Sequence, residues 1–215
     1  MATTYSSTAS ILGQLGREFD VRRAMLVHAA SIFAKKDFHR TNTAELAVRG
    51  LFSEGRYYAH FGSKDGILRA IHHEFWREMY LRAKSGASKE DDPVKHVRAI
   101  LDASIDAYQE LDHHLRVTTV TCYPVGREHS PEAEYHVKYR RLVLHALLAA
   151  TKNAGWKRPR VRAQMFFHHL LGAMQHLLHE HYCMKYLRGD AKQVFQLEDI
   201  RNEVSSIIDR TFAAR

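Results

Sequence analysis

Between Arg17 and Lys36 the residues Met25, Leu26, Ala29, Ile32 and Phe33 recur at intervals of three and four, which predicts a helix with one buried face. Beyond Asp37 and Phe38 the apolar positions fall into much shorter groups. Asn42, with Glu45 three residues later, has the form of an N-cap followed by an acidic first turn. It predicts a second helix from about Thr43 that buries Leu46 and Ala47 and ends near Gly50. Ser53 caps a predicted third helix, about Glu54 to His60. Ser63 caps a long fourth, about Lys64 to Lys84, with Ile67, Leu68, Ile71, Phe75 and Met79 inward. The small and charged residues from Ser85 to Pro93 read as a linker that cannot contribute to a core, and Pro93 suits the first position of a new helix. Helical patterns follow at 94–111, 113–122, 131–154, 159–182 and 197–213, broken at Pro124, Gly155, Pro159 and Gly189-Asp190. With no strand pattern, internal repeat or low-complexity tract, the expectation is an all-α chain of about nine helices.

Composition supports that reading. Apolar residues make up 45% of the 215, enough for a sizeable core, and only four are proline. The formal net charge of +8 favours anionic partners. Residues 1–86 carry 13 Lys and Arg against 8 Asp and Glu, and residues 87–215 carry 19 against 16, so the excess is denser where the short helices lie. Two cysteines, Cys122 and Cys183, suggest neither a disulfide framework nor a zinc cage, which fits a reducing cytoplasm. The polar start, Met1–Ser10, is unlike a signal peptide, and no 18-residue apolar stretch is present, so no membrane partner is expected.

Residues 41–64 carry the chemistry. A helix of two turns does not hold itself together in water and needs neighbours to prop it. The predicted third helix combines that shortness with Arg56, Tyr57, Tyr58 and His60, and Lys64 follows just beyond it. A short, propped, basic and aromatic helix after a tight turn is what helix-turn-helix readers of double-stranded DNA require. Arg56 has the donor geometry for guanine O6 and N7, and Tyr57 could lie against a thymine methyl or reach a phosphate. An ordinary surface helix can also carry such residues without any partner.

The combination of Met25-Leu26, Ala29, Ile32-Phe33, Phe38, Thr41, Leu46-Ala47, Ser53, Gly55, Tyr58, His60-Phe61 and Ser63-Lys64 resembles the TetR family of bacterial transcriptional regulators. The resemblance covers about residues 22–70. It implies a flexible segment over 1–16, a helix-turn-helix domain over 17–64, and a ligand-binding and dimerisation domain over 65–215. It also implies a homodimeric repressor, not an enzyme, released from a palindromic operator by a small apolar or amphipathic effector. Carried onto this chain, the DNA-binding set is Thr41, Thr43, Ser53, Glu54, Arg56, Tyr57, Tyr58, His60 and Lys64, with Phe61 as core. Departures are Asp37 where the family has glycine, Asn42 for a second threonine, and Gly50-Leu51 with the usual small residue and glycine exchanged. Either Leu51 takes the strained turn position or the turn is longer.

The rest of the chain resembles the family in helix count and in its two amphipathic last helices. Leu170, Met174, Leu177, Ile200, Val204 and Ile207 lie on apolar faces that could pair with a twin, or could be intramolecular core. Ile105, Tyr108, Val120, Tyr123, Phe166 and His169 are candidate effector-pocket walls, though each residue type is more often plain core. The run His113-His114-Leu115-Arg116, then Glu128 and Arg140-Arg141, resembles the subgroup that senses coenzyme A thioesters of fatty acids or sterol fragments; the same charges could be solvated helix faces. Sixteen histidines raise the alternative of a His-rich helical metal-binding protein or metalloenzyme. His176 shares a face with His179 and Glu180, and His179 with Cys183. Without an HExxH-type pair, the expectation is no metal site and no cofactor.

Overall fold

The computed structural model describes residues 18–48, 51–87, 90–121, 133–187 and 196–213, and within them all side chains except 18–20, 119–120, 179 and 182–187. Among these residues there are eight α-helices: α1 (Glu18–Lys36), α2 (Glu54–Phe61), α3 (Lys64–Ala87), α4 (Pro93–Glu110), α5 (Asp112–Thr121), α6 (Glu134–Asn153), α7 (Pro159–Leu187) and α8 (Leu197–Phe212). A single 3-10 turn, Thr43–Leu46, lies between α1 and α2, and no strand is present among the described residues. The fold is all-α, as the periodicity predicts.

The N-terminal head forms around α1. Met25, Leu26, Ala29, Ala30 and Phe33 are buried on one face, and Phe38 packs edge-on against Phe33 with ring centroids 5.2 Å apart. Asp37 ends α1 in the left-handed region, φ 74°, and its carboxylate accepts the His39 N–H at 2.8 Å. Glycine is cheapest there, and aspartate is tolerated because its short side chain bonds locally.

The predicted second helix is the main correction to the fold. Asn42 caps it as expected, accepting from the Ala44 N–H at 3.3 Å, but only one 3-10 turn forms before Ala47 becomes extended. Val48 then pairs with Phe52, donating to its carbonyl at 2.8 Å and accepting its N–H at 3.1 Å. A helix running to Gly50 would need the same backbone groups. Phe52 wins them because the bridge delivers its ring into the head core, T-shaped against Tyr57. Leu51 is half-buried and does not have a positive φ, so it does not occupy a strained turn position; Gly50 lies outside the described residues.

Helix α3 links the two cores. Its first half puts Ile67, Leu68 and Ile71 into the head, and its second puts Phe75, Met79, Ala83 and Ala87 into the body. It also runs further than predicted, because Gly86 and Ala87 are packing surface and not linker. A Cβ on Gly86 would come within 2.9 Å of the Ala99 carbonyl oxygen, so the glycine allows α3 and α4 to approach closely. Asp92 then caps α4, accepting from Val94 and Lys95, with Pro93 at its first turn.

The body surrounds α4, with Ile100, Leu101, Ile105 and Tyr108 fully buried. Helix α8 is tied to α4 by Arg201, which reaches Asp102 at 3.1 Å and Asp106 at 2.6 Å. Helix α5 bridges the cores: its Val117 is buried in the head cluster and its Leu115 in the body cluster. The breaks at Gly155, φ 67°, and Pro159 fall where predicted, whereas Pro124 and Gly189-Asp190 lie outside the described residues.

Candidate nucleic-acid interface

Helix α2 is two turns long and is held from both ends. Ser53 Oγ accepts the Arg56 N–H at 3.2 Å, and Gly62, φ 73°, donates its N–H to the Tyr58 carbonyl at 2.8 Å. Ser63 then accepts the Gly66 N–H at 3.0 Å and opens α3. Tyr57 and Phe61, four residues apart, point inward and anchor the helix. The opposite side presents Ser53 and Arg56, both exposed, and Tyr58, 45% exposed, with Glu54 and His60 half-buried beside them.

Tyr57 is therefore a correction. Its side chain is 1% exposed and its hydroxyl donates to the Met25 carbonyl of α1 at 3.1 Å, so it can reach neither base nor phosphate. Burial pushes its phenol well above the ordinary tyrosine range. Thr41 is a second correction, 2% exposed with its hydroxyl donated to the Asp37 carbonyl at 2.8 Å. Thr43 is also buried, and works from within. Its hydroxyl donates to Glu54 Oε1 at 2.6 Å and meets Tyr58 Oη at 3.1 Å. With the threonine proton on the carboxylate, Tyr58 is the donor to Thr43, giving a chain Tyr58, Thr43, Glu54 that sets the exposed phenol. Lys64, half-buried, holds its ammonium 4.4 Å from the Phe38 ring centroid, at the start of α3.

Of the predicted effector walls with described side chains, Ile105, Tyr108, Phe166 and His169, none lines either of the two clefts described below. Ile105 and Tyr108 are fully buried, and Phe166 packs edge-on against Phe212 at 5.6 Å. His169 is exposed, while Tyr123 and the Val120 side chain lie outside the described residues. Instead, a cleft of about 230 Å³ opens between α3, α6 and α7. Trp76, Tyr139 and Phe167 form its apolar side, with Arg140, His136 and Gln175 at its polar side. The Trp76 and His136 rings lie 4.4 Å apart, and the Arg140 guanidinium sits over Phe167 at 5.7 Å. Arg140 is the one member that the sequence singled out. The missed signal was Trp76, one apolar residue more than the face of α3 needs for its core.

Four of the predicted dimer residues are corrected as well. Leu170, Met174, Ile200 and Val204 are buried within the protomer, and Leu177 and Ile207 pack against the same core. The outward face of α7 is formed by Val161, Met165, His169, Gly172 and His176. Among the described residues no three His, Cys, Asp or Glu side chains converge, and the His176–Glu180 contact is 3.9 Å. The Cys183 and His179 side chains, like Cys122 and Glu128, lie outside what the structure describes. No helix among the described residues is long and apolar enough to cross a membrane.

A short capped helix presented by a small head, with α3 leading into an α-helical body, is the arrangement of a helix-turn-helix fold. Comparison with protein families makes this specific: residues 25–71 match the family described as bacterial regulatory proteins, tetR family. No curated protein sequence matches the chain. Among solved structures, the TetR family transcriptional regulator PfmR from Thermus thermophilus is similar with a TM-score of 0.67 and 17% identity, covering 86% of this chain and 97% of that one. AibR, solved in complex with isovaleryl coenzyme A and operator DNA, has a TM-score of 0.64 and 19% identity, over 91% and 100% of the two chains. The ketosteroid transcriptional regulator KstR2 of Mycobacterium tuberculosis has a TM-score of 0.61 and 14% identity, over 91% and 95%. The chain thus has the fold of TetR-type regulators, with the family's sequence pattern in its head.

Proposed function

We propose that this protein is a sequence-specific DNA-binding transcriptional regulator, a homodimeric repressor that a small molecule releases from a palindromic operator. The observation that carries the reading is the two-sided α2: Tyr57 and Phe61 lock it to the head while Ser53, Arg56 and Tyr58 face solvent. Residues 17–64 would act as the reader and 65–215 as the sensing and pairing domain. In the major groove Arg56 reads guanine, His60 and Ser53 hold phosphates, Tyr58 reaches one by turning its hydroxyl from Thr43, and the α3 N-terminus at Ser63-Lys64 adds backbone N–H groups for another. The outward faces of α7 and α8 are the surfaces for a twin, which would set two readers roughly 34–36 Å apart.

The effector site in this reading is the cleft beside Trp76. Its aromatic side and Arg140 suit a small amphipathic anion, and its size suits an acyl group with the remainder of the molecule outside. AibR's isovaleryl coenzyme A supports that class. Because α3 runs from Lys64 in the head to Trp76 in the cleft, a ligand that shifts α3 shifts the reader. It releases DNA only if it binds the free conformation more tightly than the DNA-bound one.

Fluorescence anisotropy with the DNA upstream of the protein's own gene tests the reading. Wild-type protein should bind as a dimer and prefer that DNA over scrambled sequence. Arg56→Ala should lose about 1–3 kcal/mol of base discrimination with fold and dimer unchanged. Equal affinity of the wild-type protein for both DNAs would sink the proposal.

A further inference from the structure

A second cleft, about 350 Å³, lies at the seam between head and body, between the end of α1 with its following loop and the C-terminal half of α5. Its volume is on the scale of small-molecule sites. Its lining is unbalanced in charge: Lys35, Lys36, Arg40 and Arg116 stand against the single carboxylate of Asp37. That carboxylate already accepts the His39 N–H, and Lys36 is paired with Glu45 at 2.9 Å. Lys35 and Lys36 also lie in the last turn of α1, where they offset the negative end of the helix dipole. Arg40, exposed, and Arg116, half-buried, add guanidinium forks from the two sides of the seam, the geometry that matches phosphate and carboxylate oxygens. Phe33, Phe38 and Val117 supply an apolar floor.

We infer that this cleft binds a small organic anion, an apolar body carrying one phosphate or carboxylate group. The site is separate from the cleft beside Trp76 and does not depend on the reading of α2 as a DNA reader. It is also placed to matter for the head. Phe38, one of its walls, carries the Lys64 ammonium over its ring. Thr121, another wall, meets His72 Nε2 of α3 at 2.9 Å. An occupant therefore presses on two contacts that hold the first turns of α3.

Calorimetric titration of the full chain without DNA tests the site, using phenyl phosphate, benzoate, inorganic phosphate and phenol as probes. Phenyl phosphate or benzoate should bind saturably, one per chain, at least tenfold more tightly than phenol or inorganic phosphate. Arg40→Glu, on an exposed side chain, should weaken that binding at least tenfold while circular dichroism stays unchanged; Arg116→Gln should act in the same direction. Arg56→Ala should bind as the wild type does. Absence of saturable binding by both organic anions would overturn the inference, as would equal binding of phenol or of inorganic phosphate. Retained binding in Arg40→Glu, or loss in Arg56→Ala, would place the anion elsewhere and overturn it too. Since no DNA is present, none of these results bears on operator recognition.

Discussion

Tyr57 and Tyr58 are chemically identical neighbours with opposite fates. Tyr58 stands 45% exposed with its hydroxyl on Thr43, while Tyr57 is sealed between α2 and α1. Helical spacing already carried part of this: Tyr57 lies four residues before Phe61, which reads as core, so the two share a face. Its basic and aromatic company masked that cue. Tyr57→Phe should therefore cost about 1 kcal/mol in urea unfolding, since the buried Met25 carbonyl loses its extra donor, and should leave operator affinity unchanged. A Tyr57→Phe protein of full stability but impaired DNA binding would return this residue to the interface. Thr41 and Thr43 teach the same lesson, because a short hydroxyl reads alike whether it faces a phosphate or a neighbouring carbonyl.

At the scale of elements, caps were legible and extents less so. Asn42, Ser53 and Asp92 each accept the backbone N–H groups that their positions imply. What shortened the second helix was a competitor just downstream, Phe52, whose bridge to Val48 takes the backbone that a longer helix would use. The junction of α2 and α3 depends on Gly66. A Cβ there would fall 1.8 Å from the Phe61 carbonyl oxygen, a clash that only backbone movement relieves. Gly66→Ala should destabilise the protein by about 3 kcal/mol or more in denaturant unfolding. Gly55→Ala is its control, since a Cβ on Gly55 meets nothing within 4 Å, and should stabilise by about 0.5–1 kcal/mol. Equal effects of the two substitutions would refute the packing argument.

For the whole molecule, the seam between head and body is closed by α5, and it contains neutral histidines. Burial lowers His72 and His114 from 6.5 to about 4 and lowers His28 in the same direction; His113 and Arg23 add to the effect on His114, and Lys35 to that on His28. Below pH 6.5 the unfolded chain takes up protons that folded His72 and His114 refuse until about pH 4. Stability is thus complete above pH 6.5 and falls as the pH drops through that window, by up to about 1.4 kcal/mol per pH unit for each imidazole. Unfolding free energies measured at about pH 7, 6 and 5 should show this slope. His114→Leu, which removes a buried Nε2 that has no hydrogen-bond partner, should reduce it by about one histidine's share. An unchanged slope in that variant would mean that His114 is protonated in the folded state.

Periodicity and capping residues were enough to determine an all-α chain, most helix starts, and the position of a short exposed helix with Arg56 and Tyr58 on it. Those properties are local: they depend on residues three or four apart and on one side chain meeting the next free N–H. Tertiary structure alone decided what covers each apolar face. Leu170, Met174, Ile200 and Val204 look the same in sequence whether a twin or the same chain buries them, and here α7 and α8 close over their own core. It likewise decided where cavities lie, because a cleft is the space left by side chains from distant segments. Trp76 with Arg140, and Arg40 with Arg116, become neighbours only once the helices pack.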